Sequence, residues 1–223
     1  MGTKNQYCRR AWKTDCVGEK ILVILDFDGV LVDPMPRLYA IHKDLFEEYG
    51  ATPLDYEEYR DLKRKPVKES EFVTPLLGEN TEEYLQRRLE LIETQEYLSQ
   101  DKLFDFSIDC LKRLKEKHTI VLWTARSNKK ELHKEIEEKQ IADFFDQVIV
   151  SEEKEEKLDV IPGFDPSNSI IVGDTEVEVR IAQEHKIKCI AVNSGMRRKA
   201  VLEMLKPDYL VENLKEAIDQ GLL

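Results

Sequence analysis

Two aspartates, Asp26 and Asp28, stand two positions apart directly after the aliphatic run at residues 21–25. Five consecutive aliphatic residues, three of them β-branched, predict a strand that is buried on both faces. Burying a carboxylate without a partner is costly, so two acids at the tip of such a strand indicate compensation by a cation, a phosphate or both. Gly29 fits a sharp turn at this point. The alternative is an ordinary Asp-Gly turn, in which Asp28 only forms the turn.

Polar side chains also follow two later apolar runs. Thr124 and Arg126 come after residues 119–123, and Asp174 comes after residues 169–173. Taken singly, Thr124 is explained as a helix-capping or strand-end residue and Arg126 as an exposed loop arginine. In an open α/β sheet, however, ligands bind beyond the carboxyl ends of the strands. We therefore expect these side chains to converge with the aspartate pair, and together they point to a site more strongly than any one alone.

The elements that must position these residues alternate regularly from residue 107 onward. Apolar runs predict strands, and residues at helical spacing predict helices between them. The predicted strands are residues 21–25, 119–123, 147–150, 169–172, 188–192 and 209–211. This alternation predicts an α/β fold with a Rossmann-like, mainly parallel sheet flanked by helices on both faces.

Residues 34–105 interrupt this pattern and are predicted to be helical throughout, without a strand. Apolar residues recur at helical spacing over 38–49 and 56–62. A further helix is predicted from Tyr84 to Ile92, with Asn80 as its cap and Glu83 three residues later. The sequence therefore predicts an α/β core domain made of residues 1–33 and 106–223, and an inserted all-helical lobe at residues 34–105.

The composition indicates a globular chain with a sizeable core. Of the 223 residues, 41% are hydrophobic and 35% charged, and the net charge is −11. The acidic balance argues against nucleic acid or an anionic membrane as a partner, so an anionic substrate must be attracted locally. The N-terminal residues contain no apolar signal region and no transmembrane run occurs, which predicts a cytoplasmic protein. The cysteines lack CxxC spacing and are interpreted as reduced thiols: Cys8, Cys16, Cys110 and Cys189.

The strand-end residues carry a resemblance to a known family. The stretch from Asp26 to Leu31 resembles the first motif of the haloacid dehalogenase superfamily, in which most members with Asp at both positions are phosphatases. Thr124 resembles the second motif. The Gly-Asp pair ending at Asp174 resembles the fourth motif, in which another Asp normally follows four residues later. Here that residue is Glu178, which also completes a capping box with Thr175, so it either binds a metal or caps a helix.

The third motif of this superfamily is a lysine shortly before the fourth. Lys154 and Lys157 are both available in a charged stretch whose ordinary interpretation is a solvated helix start. We prefer Lys154, because a lysine about one turn before the first buried leucine matches the family, and Lys157 stays the competitor.

The resemblance implies roles for these residues. Asp26 would attack phosphorus to form an aspartyl-phosphate, and Asp28 would protonate the leaving oxygen and later activate water. Mg²⁺ would be held by Asp26, by Asp174 and by Asp28 through its backbone carbonyl, with Glu178 as the further candidate. Thr124 and Lys154 would stabilise the phosphoryl oxygens. The substrate-binding candidates are Thr124, Ala125, Arg126 and Lys157.

The helical lobe looks like the cap domain of phosphoglycolate phosphatase-like members. The resemblance thus implies a Mg²⁺-dependent phosphatase of a small phosphorylated metabolite, acting as a monomer or homodimer. A sugar phosphomutase shares the aspartate pair and stays open. A 2-haloacid dehalogenase would attack carbon without metal-binding acids, so Asp28 and Asp174 count against it. A catalytically weak interaction module is the last alternative. No histidine shows ligand spacing, which applies to His42, His118, His133 and His185.

Overall fold

The computed structural model describes residues 20–150, Leu158, Ile161 and residues 163–223. Its strands are β1 (Leu22–Leu25), β2 (Val32–Asp33), β3 (Lys102–Leu103), β4 (Thr119–Thr124), β5 (Gln147–Val150), β6 (Ser169–Gly173), β7 (Lys188–Val192) and β8 (Tyr209–Val211). Six of them form one parallel sheet in the order β5-β4-β1-β6-β7-β8. The predicted α/β fold with a mainly parallel sheet is confirmed.

The helices fall into two groups along the chain. The first group follows β2 and comprises α1 (Met35–Glu48), α2 (Tyr56–Lys63), α3 (Glu69–Leu77), α4 (Thr81–Leu91) and α5 (Gln95–Leu98). The second group flanks the strands of the sheet and comprises α6 (Ser107–Lys117), α7 (Lys129–Glu138), α8 (Glu176–His185), α9 (Lys199–Leu205) and, after the last strand, α10 (Leu214–Asp219). Within the described part of the chain, no helix combines the length and apolar character needed to span a membrane.

The sheet is buried on both faces because its strands are almost entirely aliphatic. Val23 and Leu25 of β1 pack into one apolar layer with α6, α7 and α10. Leu22 and Ile24 point the other way and pack with α8 and α9. This alternation follows from the two-residue period of a strand. It leaves only the strand ends for polar side chains, which is where a site can form.

Helices α1 to α5, residues 35–98, form what we call the helical segment. Ile41 and Phe46 of α1 pack with Val73 of α3, Tyr84 of α4 and Tyr97 of α5 in an apolar cluster separate from those of the sheet. Its entry and exit strands, β2 and β3, pair antiparallel. The chain therefore enters and leaves the helical segment at one place, through this separate two-stranded pairing.

Two local predictions in this region are wrong. Residues 34–105 contain the short strand β3. It is only two residues long, so the sequence shows no hydrophobic period that could reveal it. Asn80 occupies the N-cap position of α4, but its side chain makes no capping hydrogen bond. Its backbone is helical because a 3₁₀ turn over Gly78–Asn80 runs directly into α4.

Candidate active site

Three neighbouring strands carry polar side chains at their carboxyl ends. Asp26 follows β1, Thr124 is the last residue of β4, and Asp174 follows β6. The Asp26 N–H donates to the carbonyl oxygen of Val172 at 3.0 Å, which continues the β1–β6 ladder to the site. Because β4, β1 and β6 are adjacent and parallel, the three side chains lie at one edge of the sheet.

A cavity of about 690 Å³ opens at this edge. The sequence-derived candidates that line it are Asp26, Asp28, Thr124, Ala125, Arg126, Asp174 and Glu178. The helical segment adds Arg37, Ile92 and Glu93. Lys154 and Lys157 lie outside the described residues, so their assignment stays a prediction. The cavity is thus formed between the strand ends and the helical segment.

Three acids form a compact group in this cavity. Carboxylate oxygens of Asp26, Asp174 and Glu178 lie within 4.8 Å of one another, and all three residues are buried. Oxygen ligands at this separation fit a hard divalent cation such as Mg²⁺. Among the described residues, the carboxylate of Asp28 does not join this group, because its side chain turns to two arginines instead.

The Asp174 carboxylate is enclosed by backbone. Gly29 has a φ of +80°, and a Cβ atom there would overlap the Asp174 carboxylate. A Cβ atom at Gly195 would overlap it as well. The Met196 N–H donates to Asp174 Oδ2 at 2.5 Å. The sequence candidates did not include Gly195 and Met196, although their place just after β7 is the same signal that identified Asp26.

Glu178 fits both of the roles left open by the sequence. Its Oε2 atom accepts hydrogen bonds from Thr175 Oγ1 at 2.6 Å and from the Thr175 N–H at 3.2 Å, which completes the predicted capping box of α8. Its carboxylate also belongs to the acidic group. A Cβ atom at Gly173 would overlap the Glu178 side chain. Close packing against Gly173 therefore holds this longer acid beside Asp174.

Asp28 is held by two guanidinium groups. Arg126 donates from Nη2 to Asp28 Oδ1 at 2.7 Å and from Nε to Oδ2 at 3.2 Å, and Arg37 donates from Nη2 to Oδ2 at 3.2 Å. Burial alone would raise the pKa of Asp28, but Arg126 and then Arg37 outweigh it and hold the pKa well below its usual range. Asp28 is therefore ionised in this arrangement, and a general-acid role requires its side chain to leave the arginines.

Two further acids lie behind these arginines. Asp101 Oδ1 is 3.2 Å from Arg37 Nε, and Asp101 Oδ2 accepts from Arg126 Nη2 at 2.8 Å. Glu135 pairs with Arg126 Nη1. Burial raises the pKa of Asp101 to about 7, with Asp28 adding to the rise and the arginines opposing it. We call Asp28, Arg37, Asp101, Arg126 and Glu135 the cavity cluster. Sequence reasoning singled out only two of its members, since its pairs join residues up to 98 positions apart.

The two described cysteines do not line the cavity. Cys110 and Cys189 are buried and free, as expected of reduced thiols, and burial raises the pKa of the Cys110 thiol to about 11. Cys8 and Cys16 lie outside the described residues.

Comparisons with known proteins agree with this geometry. A family model described as haloacid dehalogenase-like hydrolase matches residues 23–192. Phosphoglycolate phosphatase from Synechococcus elongatus is 23% identical over 210 residues, which cover 89% of this chain and 97% of that protein. Phosphoglycolate phosphatase 1 from Pseudomonas aeruginosa is 22% identical over 214 residues, covering 88% and 78%.

A solved structure shows the same fold. It is a haloacid dehalogenase-like family hydrolase from Streptococcus pneumoniae, with a TM-score of 0.74 and 25% identity, covering 91% of this chain and 98% of that one. The family model spans most of the chain, from β1 through β7. The chain therefore belongs to the haloacid dehalogenase-like hydrolase family.

Proposed function

We propose that this hydrolase is a Mg²⁺-dependent phosphatase that cleaves a small phosphomonoester through an aspartyl-phosphate on Asp26. The observation that carries the proposal is the position of Asp26: its buried carboxylate adjoins those of Asp174 and Glu178 and shares a cavity with Thr124. Two relatives are named phosphoglycolate phosphatases, which supports phosphoryl chemistry and makes phosphoglycolate a substrate to test.

The proposed reaction has two displacements at phosphorus. A carboxylate oxygen of Asp26 bonds to phosphorus as the bond to the leaving oxygen breaks. Asp28, once it has left the arginines and taken up a proton from water, gives that proton to the leaving oxygen. Water then attacks phosphorus, passes a proton to Asp28 and releases phosphate and the Asp26 carboxylate. The Phe27 N–H donates to Asp26 Oδ1 at 2.8 Å, which fixes the orientation of the nucleophile.

Asp26, Asp174 and Glu178, with the backbone carbonyl of Asp28, would hold the metal ion. Bound Mg²⁺ would supply positive charge that offsets the carboxylates and the phosphoryl oxygens as they approach one another. The buried acidic group supports this proposal, because three carboxylates within 4.8 Å suit a cation with oxygen ligands. A dehalogenase, which attacks carbon, needs no such group.

The helical segment is proposed to be the cap of this active site. Its own apolar cluster and its paired entry and exit strands support a cap domain at residues 34–105 on a core of residues 1–33 and 106–223. Arg37, Ile92 and Glu93 bring it to the cavity wall. A cap in this position would grip the leaving group and exclude water. The cytoplasmic location and the monomeric or homodimeric state stay predictions.

Release of inorganic phosphate from a panel of phosphorylated metabolites tests the function. We expect turnover with Mg²⁺, none in excess chelator, and little with Ca²⁺, which prefers looser and higher coordination. Asp26→Asn should lower kcat by about 10⁴-fold, because the amide keeps the shape but is not a nucleophile. Asp109→Asn is the matched control, since Asp109 is exposed on α6 and should leave kcat unchanged.

Full activity in excess chelator would contradict the metal-dependent mechanism. Equal kcat for Asp26→Asn and wild type would contradict the covalent one. Phosphoryl transfer to a second sugar hydroxyl without net phosphate release would identify a phosphomutase instead.

A further inference from the structure

The cavity cluster contains one acid that differs from the others. The side chain of Asp28 is 26% exposed and faces the cavity, whereas those of Asp101 and Glu135 are 0% and 5% exposed. Both arginines that bind Asp28 also line the cavity and are themselves buried, at 3% for Arg37 and 4% for Arg126. Asp28 is therefore the member that can leave the cluster without disturbing the protein behind it.

Asp28 is the cavity-facing acid that both arginines of the cluster bind. Lys139 is a third cation beside Arg37 and Arg126. Its Nζ atom lies 3.4 Å from Glu135 Oε1 and donates to the backbone carbonyl oxygen of Asp101 at 2.7 Å. These three cations face three acids, Asp28, Asp101 and Glu135. If Asp28 moves away from the arginines, both buried guanidinium groups lose the carboxylate that they share. Burying charge without a partner is costly, so another anion is needed at the same place.

The two guanidinium groups are fixed in position without Asp28. Arg37 pairs with Asp101 through Nε and donates from Nη1 to the Ile92 carbonyl oxygen at 3.2 Å. Arg126 pairs with Asp101 and Glu135, and its guanidinium lies 4.9 Å from the centre of the Phe27 ring. The N–H groups that bind Asp28 in this structure therefore converge on one spot at the cavity wall. A planar fork of this kind recognises carboxylate and phosphate groups in a fixed geometry.

The geometry points to an anion subsite formed by Arg37 and Arg126, which Asp28 fills in this structure and which a second anionic group on the substrate's leaving portion fills during turnover. This inference rests on the proposed phosphatase function. It restricts the substrate class to small phosphomonoesters that carry a carboxylate or a second phosphate beyond the scissile bond. Binding of that group would replace Asp28 at the arginines.

Substrate pairs that differ only in charge test the subsite. The probes are 3-phosphooxypropanoate and its uncharged primary amide, with propane-1,3-diol bisphosphate as the phosphate-bearing counterpart. We expect wild type to prefer the better anionic probe over the amide by about 100-fold in kcat/KM, the effect of two charge-assisted hydrogen bonds. The ratio of kcat/KM between the carboxylate probe and the bisphosphate probe shows which anion the subsite binds.

Variants at Arg37 assign the preference to this residue. Arg37→Gln should reduce the ratio between anionic probe and amide at least tenfold, chiefly through the KM of the anionic probe. Arg37→Lys, which keeps a cation opposite Asp101 but loses the fork, should give an intermediate ratio and serves where the glutamine variant does not fold. Arg113→Gln is the control, because Arg113 is on the surface and pairs with Asp219, and its ratio should equal that of wild type.

A wild-type ratio near one would overturn the subsite, and so would a high ratio that survives in the Arg37 variants. An aryl phosphate with no second anion separates this failure from failure of the proposed function. If the aryl phosphate releases phosphate but the anionic probes are not preferred over the amide, the subsite is contradicted and the proposed phosphatase function is not. Absence of release from every probe contradicts the phosphatase assignment on which the subsite rests.

Discussion

Two buried ionic clusters, one inside the helical segment and one at the cavity, differ in where their members come from. The first centres on Glu69, which pairs with Lys63 and Arg88 at 2.8 Å and accepts hydrogen bonds from Tyr84 at 2.7 Å and Tyr59 at 3.3 Å. We call these five residues the Glu69 cluster. They come from α2, α3 and α4, so a single carboxylate joins three helices of the same segment.

The cavity cluster joins different parts of the chain. Asp28 follows β1, Arg37 is on α1, Asp101 precedes β3, Arg126 follows β4 and Glu135 is on α7. It therefore connects the helical segment to the sheet and borders the cavity. The Glu69 side chain is 7% exposed with each oxygen bonded, whereas Asp28 is 26% exposed beside the cavity.

The difference teaches that burial of paired charges does not by itself indicate function. In the Glu69 cluster, burial would raise the pKa of Glu69, but Lys63 and Arg88 lower it further than burial raises it, so the acid stays ionised and enclosed. The cavity cluster has the same chemistry, but one of its acids can exchange with a ligand. We therefore expect damage to the first to affect stability, and damage to the second to affect turnover.

Among the members of the two clusters, the largest effect is expected from Asp28→Asn. The amide cannot donate a proton as an acid, so kcat should fall by about 10³-fold for an alkyl phosphate. The loss should be smallest for an aryl phosphate such as p-nitrophenyl phosphate, whose leaving group is already acidic. Turnover of both substrates by the purified variant checks this. An equal loss for both leaving groups would remove Asp28 from the acid role.

The next effect concerns the two lysines outside the described residues. If Lys154 contacts the phosphoryl group, Lys154→Met should lower kcat by about 10²-fold to 10³-fold, the cost of one stabilising donor in a poorly screened site. Lys157→Met is the matched control and should behave as a surface change. The reverse pattern would assign the role to Lys157, and two mild effects would mean that neither lysine carries it.

Glu69→Gln tests the other side of the comparison. Lys63 and Arg88 would keep their charges without a buried acid, so the free energy of unfolding should fall by about 3 kcal/mol. Urea unfolding measures this, and kcat of the folded variant should stay near that of wild type. Glu90→Gln, on the exposed surface of α4, is the control with little expected change. A large loss of kcat with normal stability would place Glu69 in the active site.

A smaller effect is expected from His42, which extends the Glu69 cluster to α1. The Leu54 N–H donates to His42 Nε2 at 3.2 Å, so the neutral ring donates from Nδ1 to Tyr84 Oη, also at 3.2 Å. Burial lowers the pKa of His42 to about 4, from 6.5. The unfolded chain therefore binds more protons between these values, and the free energy of unfolding should fall by about 2.5 kcal/mol as pH drops from 6.5 to 4.

The difference between wild type and His42→Gln in urea unfolding at each pH isolates this effect from the other titrating groups. Above about pH 7.5, where the ring is neutral in both states, the difference should be constant. Parallel curves from pH 7 to pH 4 would show that His42 takes up its proton as readily in the folded chain as in the unfolded one.

The strands and helices that depend on local runs of residues could be predicted from the sequence. The five aliphatic residues before Asp26 and the alternation of strands and helices after residue 107 were enough to predict the parallel sheet, because hydrophobic periodicity is a local property of the sequence. The strand ends then followed from the rule for parallel sheets, which brought Asp26, Thr124 and Asp174 to one edge. Antiparallel pairing of β2 with β3 was missed, since two residues carry no period.

The contacts between distant residues could not be predicted. Arg37 reads as one more polar residue in the first turn of α1, and Asp101 as part of a short linker. Only the fold brings Asp101 against Arg126 and Arg37 against Asp28. Glu178 shows the reverse case: its capping box was legible from spacing alone, but its place beside Asp174 required the structure.

Trapping the covalent intermediate tests the central claim most directly. Wild type mixed with substrate and Mg²⁺ is quenched in acid during turnover, and borohydride then reduces an acyl phosphate at an aspartate to homoserine. Peptide mass spectrometry locates the modified residue, with Asp26→Asn as the matched blank. We expect homoserine at position 26 in wild type and none in the variant. Phosphate release with no modification at Asp26, or with the phosphoryl group on another side chain, would contradict it.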